Sequence, residues 1–269
     1  MPAPAESPDP PRRGFPEFSR RLLRQTHSDP GAWVVLAQVD STNSMARRYL
    51  ERLGEDAGAC CFVAWEQTAG RGRRGRTWAS APGLGLYMTL VVPQIPQDLH
   101  AALPLLVVCG LARVVEDGLV PDVCVKWPND LLSSGRKLAG VLVDTISRPG
   151  RPVTAIVGIG LNVHHRTEEL PLPSATSLDL EGAPPTDLAD LAWAVRSGIG
   201  GRIEAGPSVE AVVEEVRRLT CHREGDRLRC VAGAEVVEGR FAGFDAEGCL
   251  QLESANGTLT IRSSEILEE

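Results

Sequence analysis

The sequence predicts an α+β protein, and three observations carry that prediction. Between residues 33 and 219, apolar runs with the length and composition of strands are interspersed with runs at helical spacing. Two Val/Leu/Ile-rich strands, 138–146 and 153–159, flank a Pro/Gly turn at 149–152 and read as a hairpin. After Gly225 the texture changes to short strands broken by turn residues. The expected organisation is a disordered Pro-rich leader over 1–16, a main domain over 17–222 and a small antiparallel barrel over 223–269.

In chain order, residues 1–16 hold six prolines and almost no apolar periodicity, hence the leader. A short helix over 15–25 and a strand over 33–37 follow. Asp40-Ser41-Thr42-Asn43 has the residue types of a helix N-cap, with Met45, Tyr49, Leu50 and Leu53 on one face and Gly54 as the stop. Strands are expected over 60–65 and 84–92, the second ended by Pro93. Leu103, Leu106, Val107, Leu111 and Val114 mark a core helix over 103–116, and a strand over 123–127 is broken by Pro128. Amphipathic helices are expected over 186–199, lined by Leu188, Leu191, Ala192 and Val195, and over 208–219, lined by Val209, Val212, Val213 and Val216. The barrel strands are 228–231, 235–244, 249–253 and 259–262, separated by Gly233, the turn at 245–248 and Asn256-Gly257. About 45 residues bury little core alone, so the barrel should pack on the main domain.

Composition narrows the function. A net charge of −7 argues against a dedicated nucleic-acid binder, and a 43% apolar content supports a real core. The seven cysteines form no C-x-x-C pair, so they read as reduced thiols of a cytoplasmic protein, with Cys60, Cys61, Cys109 and Cys124 inside apolar runs. No segment looks like a signal peptide or a membrane span.

Four segments carry chemistry. The first, 66–78, reads EQTAGRGRRGRTW. Gly70, Gly72 and Gly75 satisfy G-x-G-x-x-G, but Pro82, Gly83 and a strand follow where a dinucleotide site needs a helix. Arg71, Arg73, Arg74 and Arg76 on a pliable backbone suit a polyanion such as a triphosphate, because guanidinium pairs with phosphate bidentately. A solvated basic loop or an RNA-contacting patch is the alternative that this segment alone leaves open. In the second, Lys126-Trp127-Pro128-Asn129-Asp130 is followed by Arg136-Lys137-Leu138-Ala139-Gly140, so a tight turn can aim two ammonium groups at one point; two surface lysines is the plainer reading. The third, Gly158-Ile159-Gly160-Leu161-Asn162, puts glycines inside an apolar strand, either a bulge or a close approach to a ligand. The fourth is the cap at Asp40-Ser41-Thr42-Asn43, which also suits the carbonyl of a small polar ring.

Taken in order, DSTN at 40–43, the Gly/Arg loop at 66–78, KWPND at 126–130, RKLAG at 136–140, GIGLN at 158–162 and ATSL at 175–178 resemble the biotin protein ligases. The resemblance spans roughly 140 residues. It implies a mixed-sheet catalytic domain of the biotin/lipoyl ligase type followed by an SH3-like barrel. It also implies two half-reactions: biotin and Mg-bound ATP give biotinyl-5′-AMP, and a lysine of a carboxylase's biotin carboxyl-carrier domain then takes the acyl group. By matched position, the resemblance places Ser41, Thr42, Asn43, Gln67, Gly70, Arg71, Arg73, Lys137 and Gly158 on biotin. Arg73, Arg76, Lys126, Asp130 and Lys137 fall on the carboxylate and phosphates, and Trp78, Asn129 and Asn162 on the adenine. Asp130 is expected to orient an arginine or to help hold Mg²⁺, without a dedicated metal cluster.

Trp65 and Asp144 depart from the residues usual in that family, and neither belongs to the implied site. Only 39 residues precede DSTN, too few for a winged helix-turn-helix, so a ligase that does not repress transcription is expected. Relatives commonly dimerise by sheet extension, which makes a homodimer possible. The rival readings are a lipoyl or octanoyl transferase of the same fold and a nucleic-acid-binding regulator. With four like charges and three glycines, the Gly/Arg loop is expected to be mobile until an anion fills it.

Overall fold

The computed structural model describes residues 14–26, 31–147, 152–232, 235–255, 257–262, 264 and 266–267. The leader up to residue 13, most of the turn at 149–152, Gly233 and Asn256 lie outside the described residues.

Seven strands form one sheet. In spatial order they are β1 (Ala32–Leu36), β2 (Cys60–Ala64), β3 (Gly85–Ile95), β7 (Val153–Asn162), β6 (Arg136–Ile146), β5 (Asp130–Ser133) and β4 (Val123–Lys126). β1 runs parallel to β2, and every other neighbouring pair is antiparallel, so the sheet is mixed. Both faces are covered, as the continuous apolar run of β2 requires. Cys61 and Val63 join the main core with α3 (Leu103–Glu116), α4 (Leu188–Glu204) and α5 (Val209–Leu219). Cys60 and Phe62 face the other way, against Ala46 and Leu50 of α2 (Thr42–Leu53). Trp65 docks α1 (Phe15–Gln25) through Phe18, with ring centroids 5.4 Å apart. Asp144 pairs with Arg47 at 2.8 Å.

The helices at 15–25 and 103–116 fall where the periodicity places them. Elsewhere the structure corrects the expectation. Pro93 does not end β3: the register with β7 shifts between Val92 and Ile95, and Gln94 takes φ 60°, so a bulge absorbs the missing donor. Pro128 does break its strand, as expected: β4 ends at Lys126, and Pro128 sits in the turn over 127–129. β4 turns directly into β5, which returns to β6 through a two-residue turn, Ser134-Gly135, with both φ positive. β7 runs on to Asn162, bringing the whole GIGLN segment into the sheet. The α4 helix begins at Leu188 behind an Asp187 cap and continues to Glu204. The buried face of α2 is Thr42, Asn43, Ala46 and Leu50, whereas Leu53 is 41% exposed. Cys60, Cys61 and Cys109 are buried as expected, but Cys124 is only half-buried.

A second, all-antiparallel sheet follows: β8 (Arg227–Ala232), β9 (Glu235–Phe244), β10 (Leu250–Ser254), β11 (Gly257–Ile261) and β12 (Ile266–Leu267), in the order β11-β10-β9-β8-β12. Phe241, Phe244, Leu250 and Leu252 belong to the same apolar cluster as the main helices. Trp127 donates its indole N–H to the Gly248 carbonyl at 3.0 Å, and Gly248 abuts Leu105 and Val213. A Cβ there would sit 2.6 Å from the Leu105 side chain, so the approach of the two sheets requires glycine.

Candidate active site

A cavity of about 510 Å³ opens where β3, β7, β6 and the β4–β5 turn meet the start of α2, the Gly/Arg loop and the edge of the second sheet. That is ample room for a small-molecule ligand. One end is uncharged. Ser41 occupies the N-cap of α2, yet its side chain makes no capping bond; Gln67 does that work, its Oε1 accepting from the Thr42 N–H at 2.8 Å and the Thr42 hydroxyl at 3.1 Å. Gln67 is held in turn by Ser80, to whose Oγ its Nε2 donates at 2.8 Å. Thr89, fully buried on β3, donates to Asn43 Oδ1 at 2.6 Å and stands 2.8 Å from the Thr42 hydroxyl. Asn43 is pressed against Gly158, where a Cβ would lie 2.1 Å from Asn43 Oδ1. The Asn43 Nδ2 is buried with no acceptor among the described residues, beside a cavity that its residue lines.

The other end is cationic. Lys126 is the last residue of β4, and Asp130, its register partner, opens β5. Lys137, on β6, reaches back so that its Nζ lies 2.7 Å from Asp130 Oδ2 and 5.5 Å from the Trp78 ring centroid. Asp130 therefore orients a lysine, and its charge also acts on Arg73. The Gly/Arg loop folds over this end as a single turn, with Gly72 N–H donating to Arg76 O at 2.8 Å and Arg76 N–H to Arg73 O at 3.1 Å. No helix opens after it, in line with rejecting the dinucleotide fingerprint. Arg73 donates to Asn129 Oδ1 at 2.8 Å and to the Ser264 carbonyl at 3.1 Å, and Arg74 donates to the Val231 carbonyl at 2.8 Å. These bonds tie the loop to β8 and to the segment before β12. Burial, with the neighbouring Arg74 charge adding to it and Asp130 opposing, pulls the Arg73 guanidinium below its ordinary pKa. A partly desolvated cation of this kind favours an incoming anion.

Between the two ends, Gly140 and Gly160 are register partners on β6 and β7. A Cβ on Gly160 would fall 2.4 Å from the Trp78 indole, and one on Gly140 3.1 Å from it. The glycines of RKLAG and GIGLN therefore make a flat floor for Trp78, a closer requirement than a bulge. Its indole N–H is likewise buried without an acceptor among the described residues. Asn162 donates Nδ2 to the Thr176 carbonyl at 2.9 Å, which leaves its Oδ1 as the side chain's acceptor at the cavity.

Every site residue expected from sequence lines this cavity except Gly70. Gly70 lies beneath it, where a Cβ would meet the Trp78 carbonyl at 2.3 Å, so its role is to let the loop fold. The structure adds lining residues that sequence reasoning missed: Pro171, Leu172 and Ser174 from the loop after β7, and Arg229, Ser264 and Ile266 from the second sheet. None has a local motif. Among the described residues no group of three or more His, Cys, Asp or Glu side chains is placed to hold a metal ion, and no helix is long and apolar enough to cross a membrane.

The chain is similar in sequence and fold to known proteins. The model of the biotin/lipoate A/B protein ligase family matches residues 35–162. The bifunctional ligase/repressor of Escherichia coli is 40% identical over 275 aligned positions, covering 92% of this chain and 78% of the relative. The biotin–[acetyl-CoA-carboxylase] ligase of Mycobacterium tuberculosis is 31% identical, covering 94% and 96%. The bifunctional ligase/repressor of Bacillus subtilis is 28% identical, and the alignment takes in 76% of this chain but only 64% of that relative. Among solved structures, the Aquifex aeolicus biotin protein ligase in complex with biotin and ATP superposes with a TM-score of 0.69 at 28% identity, covering 88% of this chain and 97% of that one. The Leishmania major biotin protein ligase in complex with biotinyl-5-AMP gives 0.58 at 27% identity, covering 89% and 100%. The fold is that of the biotin protein ligases. The chain belongs to the biotin/lipoate A/B protein ligase family.

Proposed function

We propose that this chain activates biotin with ATP as biotinyl-5′-AMP and transfers the biotinyl group to a lysine of a carboxylase's biotin carboxyl-carrier domain. The observation that carries the reading is one cavity with two ends. An uncharged end is lined by Ser41, Thr42, Asn43 and Gln67, and a cationic end gathers Arg73, Arg76, Lys126 and Lys137. The uncharged end suits biotin's ureido ring, held by Ser41, Thr42 and Asn43, with Gln67 fixing Thr42. The cationic end suits the carboxylate and phosphates. A carboxylate is already ionised near pH 7, so its attack on the α-phosphorus needs no general base. It needs neutralised charge and alignment, which fixed guanidinium and ammonium groups supply. Lys137, aimed by Asp130, stands on the acyl-phosphate, and Trp78 and Asn162 frame the adenine.

Asp130 is the one carboxylate among the described residues lining the cavity, so Mg²⁺ would be held chiefly by ATP's phosphates, with Asp130 as its protein partner. There the ion would neutralise phosphate charge. β1, at one edge of the main sheet, offers a route to a homodimer by sheet extension, whereas β4 at the other edge already accepts a bond from Cys221. Seven cysteines, none of them in a disulfide, fit a reducing, cytoplasmic setting. The test is direct: protein, biotin, MgATP and a carrier domain should give a streptavidin-reactive product. Ready transfer of lipoate or octanoate with no transfer of biotin would overturn the reading.

A further inference from the structure

Glu181 lies outside the cavity, yet it gathers more donors than any cavity carboxylate. Its side chain is 6% exposed. It accepts from Ser133 Oγ at 2.9 Å, Ser134 Oγ at 2.8 Å, Arg136 Nη2 at 2.7 Å and the Thr176 hydroxyl. A carboxylate has about four lone-pair sites, so this one is filled. Burial pushes its pKa up, but the donors from Thr176, Ser134 and Ser133 and the charge of Arg136 outweigh it and hold the carboxyl below its ordinary value. Glu181 is ionised and shielded, which makes the knot strong and directional.

What the knot joins is informative. Ser133, Ser134 and Arg136 belong to the β5–β6 turn that delivers Lys137. Thr176 belongs to the segment that pairs with Lys137 itself: Lys137 N–H donates to Ser174 O at 2.7 Å, and Thr176 N–H to Lys137 O at 2.9 Å. The Thr176 carbonyl also holds the Asn162 amide at 2.9 Å. Thr42 and Gln67, at the uncharged end, are held instead through Thr89 and Ser80.

We propose that Glu181 is a positioning residue that sets Lys137 and Asn162 for the nucleotide half of the site while leaving the ring-binding half untouched. The kinetic part rests on the function proposed above; the structural part does not. In Glu181→Gln, kcat/KM for ATP in biotin-dependent pyrophosphate release should fall on the order of tenfold, and in Glu181→Ala on the order of a hundredfold, as expected when a reacting group is displaced by about 1 Å. Biotin affinity by calorimetry should stay within about twofold, because the change is confined to one end. Amide hydrogen exchange at Lys137 and Thr176 should quicken in both variants.

Equal weakening of biotin and ATP, or unchanged exchange, would overturn the proposal and leave Glu181 a purely structural residue. If Glu181→Ala does not fold, Thr176→Val removes one donor alone. Combined with Glu181→Gln, its effect should be less than additive, and full additivity would count against the proposal. Should the wild type release no pyrophosphate with biotin, the functional reading fails, while hydrogen exchange still decides whether Glu181 fixes Lys137.

Discussion

The two ends of the cavity are built by different means. At the uncharged end, Thr42, Asn43, Gln67, Ser80 and Thr89 hold one another within α2, β3 and the loop joining β2 to β3. At the cationic end, Arg73 and Arg74 reach across to Ser264 and Val231 of the second sheet, and Lys137 depends on the loop at 174–176. The uncharged end is built around one sheet; the cationic end is assembled from parts far apart in the chain. Changes at the first should therefore alter biotin binding alone. Changes at the second should alter nucleotide handling and respond to anything that loosens the contact between the sheets.

The largest expected effect comes from Lys137→Ala, which should lower the rate of adenylate formation about 10²–10³-fold while biotin affinity moves less than a few-fold. Loss of biotin binding instead would erase the distinction between the ends. Next is a pH effect at the sheet junction. His222 stands where the chain enters the second sheet, packed on Phe241 with ring centroids 5.5 Å apart. Burial, aided by the Lys126 charge, depresses its pKa to about 4. A depressed histidine binds fewer protons folded than unfolded, so its contribution is complete above about pH 6.5 and is lost as pH falls from there toward about 4. The loss is roughly 3 kcal/mol in principle. A denaturation series from pH 7 to 4 should show it in the wild type and much less of it in His222→Gln. An identical slope in both would place the titration elsewhere.

Gln67→Ala should leave Thr42 without its acceptor and raise the biotin KM on the order of tenfold, at about 1–2 kcal/mol, with the KM for ATP nearly unchanged. A rise confined to ATP would contradict the assignment of the uncharged end. The smallest effect belongs to Arg74→Ala, which cuts one exposed tie to Val231. It should loosen the closed loop, seen as faster amide exchange over 71–76, and reduce adenylation only a few-fold, with added biotin and a non-hydrolysable nucleotide restoring protection. A loop that exchanges at the same rate with and without ligand would dismiss the expectation that anions order it.

The same contrast explains what the sequence disclosed. The uncharged end and the glycine floor were legible because their residues sit in contiguous motifs whose spacing survives in one strand or one cap. The core helix at 103–116 was legible from its apolar period. The bulge at Pro93 and the four-residue strand β5 were not, since neither leaves a periodic trace and the register is decided by neighbouring strands. The α2 face was misread because ligand-facing Thr42 and Asn43 are polar, so the buried stripe does not look apolar. Arg73 and Ser264 are 191 positions apart and bond through a backbone carbonyl, for which any residue type serves. Glu181, in an irregular stretch, shows its importance only when four donors converge on it.

The central claim, that a neutral ring acid and ATP meet in this one cavity, is tested most directly by ATP–pyrophosphate exchange without any carrier domain. Exchange should be strictly dependent on biotin, lowered about 10²–10³-fold by Lys137→Ala and weakly supported at most by octanoate or lipoate. Exchange driven by octanoate or lipoate but not by biotin, or exchange undiminished in Lys137→Ala, would contradict it.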